Sequence, residues 1–182
     1  MKKFHAIALS AALAALALAP SAGARALVTA GSQELGASGL VDFNSEVGTV
    51  IDLGARYAWF VADQLSIGGI AGFSDNDYYT SVRFGFVGEY NFLFSDDYRP
   101  LFGTDFVPFF GLGLSLAYAD SDREDHFAGI ISLEPGFKFF LSDDFAFVTS
   151  FLANFASEDI YMNDSKASSA DLSVRLGMRF YF

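Results

Sequence analysis

The sequence predicts an all-β protein, an eight-stranded antiparallel up-and-down transmembrane β-barrel, and three observations support this prediction. Hydrophobic residues make up 52% of the chain, yet residues 27–182 contain no apolar run long enough for a membrane-spanning helix. Many segments instead alternate between apolar residues and small or polar residues, which is the period of a β-strand with different surroundings on its two faces. The faces opposite the apolar ones are rich in Gly, Ala and Ser, which suit the narrow interior of a closed barrel better than a soluble surface.

The first 26 residues are predicted to be a secretory signal peptide, and residues 27–182 to form the barrel domain. Lys2 and Lys3 precede an apolar run at 6–19, which is shorter than the ~20 residues of a membrane-spanning helix. Cleavage after Ala24 and cleavage after Ala26 fit the small-residue rule about equally. A retained N-terminal anchor is the less favoured alternative, because the apolar run is short.

The charge and the motifs exclude several classes of partner. The net charge is −11, and removal of residues 1–26, which hold three basic residues and no acidic one, would make it −14. Such an acidic balance argues against a nucleic-acid partner. Cysteine is absent, so neither a disulfide nor a thiol nucleophile is expected. The acidic stretch 120–125 resembles a calcium loop only weakly, since it lacks the glycine and the distal Glu, and no cofactor or metal is predicted.

Eight strand-like segments follow a short lead-in at 27–32. They cover about 33–43, 48–61, 64–73, 80–94, 105–119, 127–141, 145–156 and 169–182. The predicted outer loops are 44–47, 74–79, 120–126 and 157–168, and the predicted inner turns are 62–63, 95–104 and 142–144. The inner turns follow aromatic residues and contain Ser or Asp, which favour turns. An even number of strands places both ends of the domain on one side of a membrane.

The last segment shows the alternation most clearly. One face carries Leu172, Val174, Leu176, Met178, Phe180 and Phe182, and the other is polar, small or charged. This segment, which ends in Phe after alternating hydrophobic residues, resembles the last strand of small bacterial outer-membrane β-barrel proteins of the OmpA/OmpX type. Aromatic residues near both ends of the predicted strands are similar to the two interfacial girdles of such barrels.

The resemblance implies a location in the cell outer membrane. Outer-membrane lipids and lipopolysaccharide are the expected partners, and the barrel is expected to be a monomer. The resemblance also implies that Leu176, Met178, Phe180 and Phe182 form the signal that the barrel-assembly machinery reads during insertion.

Charged residues at inward positions are the candidate functional residues. Alternation places six acidic and five basic residues there, namely Glu34, Asp42, Asp52, Glu89, Glu134 and Asp171, and Arg56, Arg83, Lys138, Arg175 and Arg179. Because unpaired charge in a narrow lumen is costly, a ladder of ion pairs is expected. Counting residues from the loops predicts that Glu34 meets Arg179 near the inner end, and that Arg56, Glu89, Glu134 and Arg175 share one height.

The predicted function is a structural or surface-interaction role for a barrel with a salt-bridged, plugged lumen. A narrow channel for small solutes is one alternative, because the same charges could line a path. A lipid A-modifying enzyme is another, since some barrels that resemble this one are such enzymes. It would need His126 to meet Ser121 or Ser132, and a single His among acidic loop residues more often lies at the surface. The chain is therefore not predicted to be an enzyme.

Overall fold

A computed structural model describes residues 28–45, 48–75, 79–93, 105–121, 125–163 and 166–182. The predicted signal peptide and parts of the predicted loops lie outside these residues. Within these described residues, ten strands form, and their bounds are β1 Gln33–Ser45, β2 Gly48–Ala62, β3 Leu65–Asp75, β4 Tyr79–Asn91, β5 Asp105–Ser121, β6 Asp125–Ser142, β7 Phe145–Ala156, β8 Tyr161–Asn163, β9 Lys166–Ser168 and β10 Ala170–Tyr181. None of the described residues forms a helix long and apolar enough to cross a membrane.

Eight of these strands close into one antiparallel barrel in the order β1-β10-β7-β6-β5-β4-β3-β2. Apart from β1 and β10, which close the ring, each strand pairs with its sequence neighbours in the barrel. The predicted eight-stranded, all-antiparallel, up-and-down barrel is therefore confirmed.

The predicted outer loop 157–168 contains two short strands that the sequence did not predict. This segment is not simply a loop, because β8 and β9 pair there as a small separate hairpin, from Tyr161↔Ser168 to Asn163↔Lys166. The strands are only three residues long, which is too short to show the alternation that identified the barrel strands. The turn-forming sequence Asn163-Asp164-Ser165 was the available signal.

Side-chain direction follows the predicted alternation along the barrel strands. In β10, Leu172, Leu176 and Phe180 are exposed on the outer wall, and Arg179 and Tyr181 are buried inside. The outer wall also exposes large apolar side chains from the other barrel strands, such as Phe86 at 78%. An apolar outer wall around a polar interior is the arrangement of a membrane barrel and the inverse of a soluble one.

The lead-in folds across one end of the barrel, which we call the inner end. Gly31 has a φ of 92°, which glycine adopts at little cost and which turns the chain towards β1. The Gly31 amide donates to the Phe60 carbonyl at 2.9 Å, and the Gln64 amide donates to the Val28 carbonyl at 2.8 Å. These bonds place Val28, which is fully buried, across the inner end.

A cluster of buried apolar residues, which we call the apolar floor, lies at this inner end. It consists of Val28, Phe60, Val107, Phe140, Ala146 and Tyr181, all of which are buried. The ring of Tyr181 lies 5.0 Å from that of Phe140 and 6.3 Å from that of Phe60, between centroids. The expectation that inward faces hold mainly Gly, Ala and Ser, with an occasional charge, is therefore wrong at this end of the lumen.

Candidate functional site in the barrel lumen

Five charged side chains meet directly above the apolar floor. Three are cationic and two anionic, and this charge cluster consists of Glu34, Arg56, Glu89, Lys138 and Arg179. None has a side chain more than 7% exposed. They come from β1, β2, β4, β6 and β10, so the cluster ties together strands on opposite sides of the barrel.

Each carboxylate of the charge cluster contacts all three cations. Glu34 accepts a hydrogen bond from Lys138 Nζ at 2.9 Å and from Arg179 Nη1 at 2.5 Å, and its Oε1 lies 2.8 Å from Arg56 Nε. Glu89 lies 2.5 Å from Lys138 Nζ, 2.9 Å from Arg56 Nη1 and 3.0 Å from Arg179 Nη1. Distances of this size are those of charge-assisted contacts, which are the strong class of polar interaction.

Aromatic rings surround the cationic members of the cluster. Lys138 Nζ lies 5.4 Å from the ring centroids of Phe109 and Tyr181 and 5.9 Å from that of Phe60. The Arg179 guanidinium carbon lies 5.3 Å from the ring of Phe109. A cation within about 6 Å of a ring face is attracted to it, most strongly where water is excluded. The rings therefore both fill the lumen and stabilise the charge that the carboxylates leave unbalanced.

Small residues on neighbouring strands provide the space for these large side chains. A Cβ added to Gly136 would lie 2.6 Å from Phe109 Cζ, and one added to Gly36 would lie 3.2 Å from Arg179 Cδ. Gly36 also faces Arg56 in the β1–β2 register. The alternation of glycine with large or charged residues on inward positions thus has a packing reason, because a side chain from one strand fills the place that glycine leaves on the next.

Above the cluster, a cavity of about 140 Å³ with both charged and apolar lining residues faces the outer end of the barrel. We call it the outer chamber, and its charged lining residues are Asp52, Arg83, Asp171 and Arg175. Arg175 Nη2 donates to Asp52 Oδ1 at 3.2 Å. Between the chamber and the cluster, Glu134 accepts a hydrogen bond from Ser150 Oγ at 2.8 Å.

Asn154 lies between the other two charges of the outer chamber. Its Oδ1 accepts from Arg83 Nη1 at 3.4 Å and from Ser132 Oγ at 2.7 Å. Its Nδ2 donates to Asp171 Oδ2 at 3.3 Å. The amide thus faces a cation on one side and a carboxylate on the other.

An apolar residue narrows the outer mouth of the barrel. Ile160, which follows β7 and precedes β8, is 7% exposed and belongs to a buried cluster with Ala117, Ala119, Ala128 and Ile130. Two further contacts hold this segment. Ser157 exchanges hydrogen bonds with Gly129 of β6, and Glu158 lies 3.5 Å from Nδ1 of His126.

The structure brings some predicted lumen residues together and separates others. Glu34 and Arg179 are in contact at the inner end. The four residues predicted at one height are divided, because Arg56 and Glu89 belong to the cluster, whereas Arg175 pairs with Asp52 and Glu134 with Ser150. Lys138 is in the cluster, and Arg83 and Asp171 line the outer chamber. The side chain of Asp42 lies outside those that the structure describes.

Sequence reasoning missed the aromatic part of this site. The signal was present as adjacent aromatic pairs near the inner strand ends, namely Trp59-Phe60, Phe109-Phe110, Phe139-Phe140 and Tyr181-Phe182. One member of such a pair must point outwards and the other inwards, because successive strand residues alternate. His126 and Ser132 do not meet, since Ser132 donates to Asn154 and His126 faces Glu158. Within the described residues, no three His, Asp or Glu side chains cluster so as to hold a metal ion.

Comparison with solved structures identifies barrels of the same architecture. The N-terminal β-barrel domain of Pseudomonas aeruginosa OprF matches at a TM-score of 0.61 and 16% identity, over 84% of this chain and 98% of that one. Neisserial surface protein A matches at a TM-score of 0.56 and 15% identity, over 83% of this chain and 96% of that one. No family model and no curated protein sequence matches the chain. At these identities the likeness shows the fold, which is that of a small eight-stranded outer-membrane barrel.

Proposed function

We propose that this chain is an integral protein of the bacterial outer membrane, with a structural or surface-interaction role and a lumen closed to solutes. The observation that carries the closed lumen is the charge cluster lying directly on the apolar floor. Together they occupy the inner end of the barrel with side chains that are nearly all inaccessible to water. A solute would have to displace paired charges and packed rings at once, which is costly because the charges would lose their partners without regaining water.

The outer wall supports the membrane location. Exposed Leu, Ile, Val and Phe side chains cover the barrel strands, and a closed barrel satisfies the backbone polar groups that lipid could not. The fold shared with the OprF barrel domain and neisserial surface protein A supports the same location. In this proposal the wall contacts outer-membrane lipids and lipopolysaccharide, and the barrel is a monomer.

The proposal also gives a role to the outer face of the last strand. Leu176, Met178, Phe180 and Phe182 are exposed side by side on the wall. We expect the barrel-assembly machinery to contact this face during insertion. The Phe182 backbone exchanges hydrogen bonds with Gln33 at the closing seam, so any such contact must be released when the barrel closes.

Single-channel recording of the refolded barrel in a planar bilayer tests the closed lumen. We expect no discrete conductance steps from protein whose folding has been verified by the shift between heated and unheated gel samples. A large porin inserted under the same conditions provides the control for sensitivity. Discrete steps from the folded barrel would contradict the closed lumen and would favour the channel alternative, with the charge cluster as its constriction.

A further inference from the structure

Two charges in the outer chamber lack an oppositely charged partner among the side chains that the structure describes. Arg175 pairs with Asp52 at 3.2 Å, whereas no described carboxylate lies within 4 Å of the Arg83 guanidinium. Asp171 is likewise without a cation within that distance among the described residues, and it accepts only from Asn154 and from Ser173 Oγ at 3.4 Å. A charge in a narrow lumen is costly unless it is paired, so a cation and an anion that have no opposite charge in direct contact are candidates to hold a ligand.

Asn154 contacts both of these charges and so limits the distance between them. Its contacts with Arg83 and Asp171 are long, at 3.4 and 3.3 Å, whereas its bond from Ser132 at 2.7 Å is short and fixes the amide. With an ordinary amide geometry, the guanidinium nitrogen and the carboxylate oxygen lie less than about 9 Å apart. A molecule with opposite charges about 3 Å apart could bond to both at normal hydrogen-bond lengths of about 2.8 Å.

We propose that the outer chamber binds a small zwitterionic solute of the size of an α-amino acid. Arg83 holds its carboxylate and Asp171 holds its ammonium group. Gly72 makes room for this arrangement, because a Cβ there would lie 3.3 Å from Arg83 Nε. This site does not depend on the proposed closure of the inner end.

The chamber has both the access and the electrostatics for such a ligand. Its lining side chains Asp52 and Arg175 are 31% and 14% exposed, so solvent reaches the cavity. A zwitterion leaves the net charge of the lumen unchanged, whereas an isolated anion or cation would add an unbalanced charge. Since that imbalance is penalised in surroundings of low dielectric constant, the chamber should prefer the zwitterion to either half.

Calorimetric titration of the refolded chain in detergent with glycine, acetate and methylammonium tests this site. We expect saturable binding of glycine that is at least about tenfold tighter than that of acetate or methylammonium, because each lost charge-assisted bond costs about a factor of ten or more. Arg83→Gln and Asp171→Asn should each weaken glycine binding by about tenfold or more. Asp171→Asn should not weaken acetate binding, because acetate has no ammonium group for Asp171 to hold and the removed carboxylate would otherwise repel it.

Asp144→Asn is the matched control, because Asp144 bonds to Ser142 at an exposed inner turn, far along β7 and β10 from the chamber. Its glycine affinity should equal that of the unmodified chain. The gel shift on heating establishes that each variant is folded, and Asn154→Ala gives a second route if Arg83→Gln fails to fold. Absence of glycine binding by a folded barrel would overturn the proposal, as would equal affinity for acetate or an unchanged affinity in Asp171→Asn.

Discussion

At the scale of single residues, the charge cluster holds one more cation than carboxylates. Substitution of Glu34 and substitution of Lys138 should therefore differ in their effect on stability. Three cations surround two carboxylates, and all five are buried. Glu34→Gln would leave three cations facing Glu89 alone. Lys138→Met would leave Arg56 and Arg179 facing two carboxylates, which is a balanced set that keeps an apolar chain of similar length against the rings.

We therefore expect Glu34→Gln to lower the free energy of unfolding by about 3–5 kcal/mol, the usual cost of leaving a buried charge without its partner. Lys138→Met should cost clearly less, because it removes the excess cation. Urea titration of the two variants in the same lipid vesicles, followed by Trp59 fluorescence, measures both values. Equal losses, or a greater loss in Lys138→Met, would contradict the interpretation that the cluster tolerates the loss of one cation better than the loss of a carboxylate.

Individual inward positions could be predicted from alternation, but most of their partners could not. Period two decides which face of a strand a side chain occupies, so Glu34, Glu89 and Lys138 were all placed inside. Glu34 and Lys138, however, are 104 residues apart in sequence. Their contact depends on closure of the barrel and on the length of the Lys138 side chain, which reaches across the lumen. Neither property can be predicted from the alternation within one strand.

At the scale of elements, two glycines of β4 differ in the space that an added side chain would find. Gly85 and Gly88 both belong to β4, on opposite faces. A Cβ added to Gly85 would lie 2.3 Å from the Leu114 carbonyl oxygen and 2.4 Å from Ser115 Cβ, whereas one added to Gly88 would meet nothing within 4 Å. Backbone and Cβ atoms of β5 cannot move aside without shifting the strand.

Gly85→Ala should therefore destabilise the barrel by about 1–3 kcal/mol or more, as overpacking does. Gly88→Ala is the matched control on the same strand and should change stability by no more than about 0.5 kcal/mol. The folded fraction after refolding into vesicles, read from the gel shift on heating, compares the two. A Gly85→Ala variant that refolds as well as Gly88→Ala would show that β4 and β5 separate more easily than their register indicates.

Strand positions and the inner turns after β2 and β6 could be predicted closely, whereas the structure of the connection between β7 and β10 could not. The predicted segment 145–156 coincides with β7, because Phe145, Phe147, Phe151 and Phe155 recur on one face of it. The hairpin of β8 and β9 was missed because each strand is three residues long. Ile160 likewise gave no signal, since a single apolar residue in a polar segment has no period to reveal that it is buried.

At the scale of the whole molecule, the fold class followed from the alternation, but the strength of the closing seam did not. The register of β1 with β10 runs from Glu34↔Tyr181 only to Gly39↔Leu176. The register of β10 with β7 continues to Ala170↔Phe155. Among the described residues, the outer halves of β1 and β10 are therefore not paired with each other. We expect the barrel to open most readily at this part of the seam.

Hydrogen exchange along β10 tests this asymmetry. The Phe182 amide donates to Gln33 of β1, and the Tyr181 amide donates to Asp144 on the β7 side, so even-numbered amides face β1 and odd-numbered ones face β7. The amides of Leu172 and Val174 then face the unpaired half of the seam. In detergent micelles we expect them to exchange at least about tenfold faster than those of Ser173 and Arg175, which pair with β7.

The amide of Met178 supplies the second comparison for that experiment. It also faces β1, but it lies in the paired half of the seam, opposite Ala37. Protection at Met178 with rapid exchange at Leu172 would locate the weakness in the outer half rather than in the whole β1–β10 contact. Equal protection of all even-numbered amides in β10 would mean that the seam closes along its full length. Because unpaired backbone groups cost several kcal/mol each in hydrocarbon, a bilayer should favour that closure more than a micelle does, so the difference in exchange should shrink when the same barrel is measured in lipid.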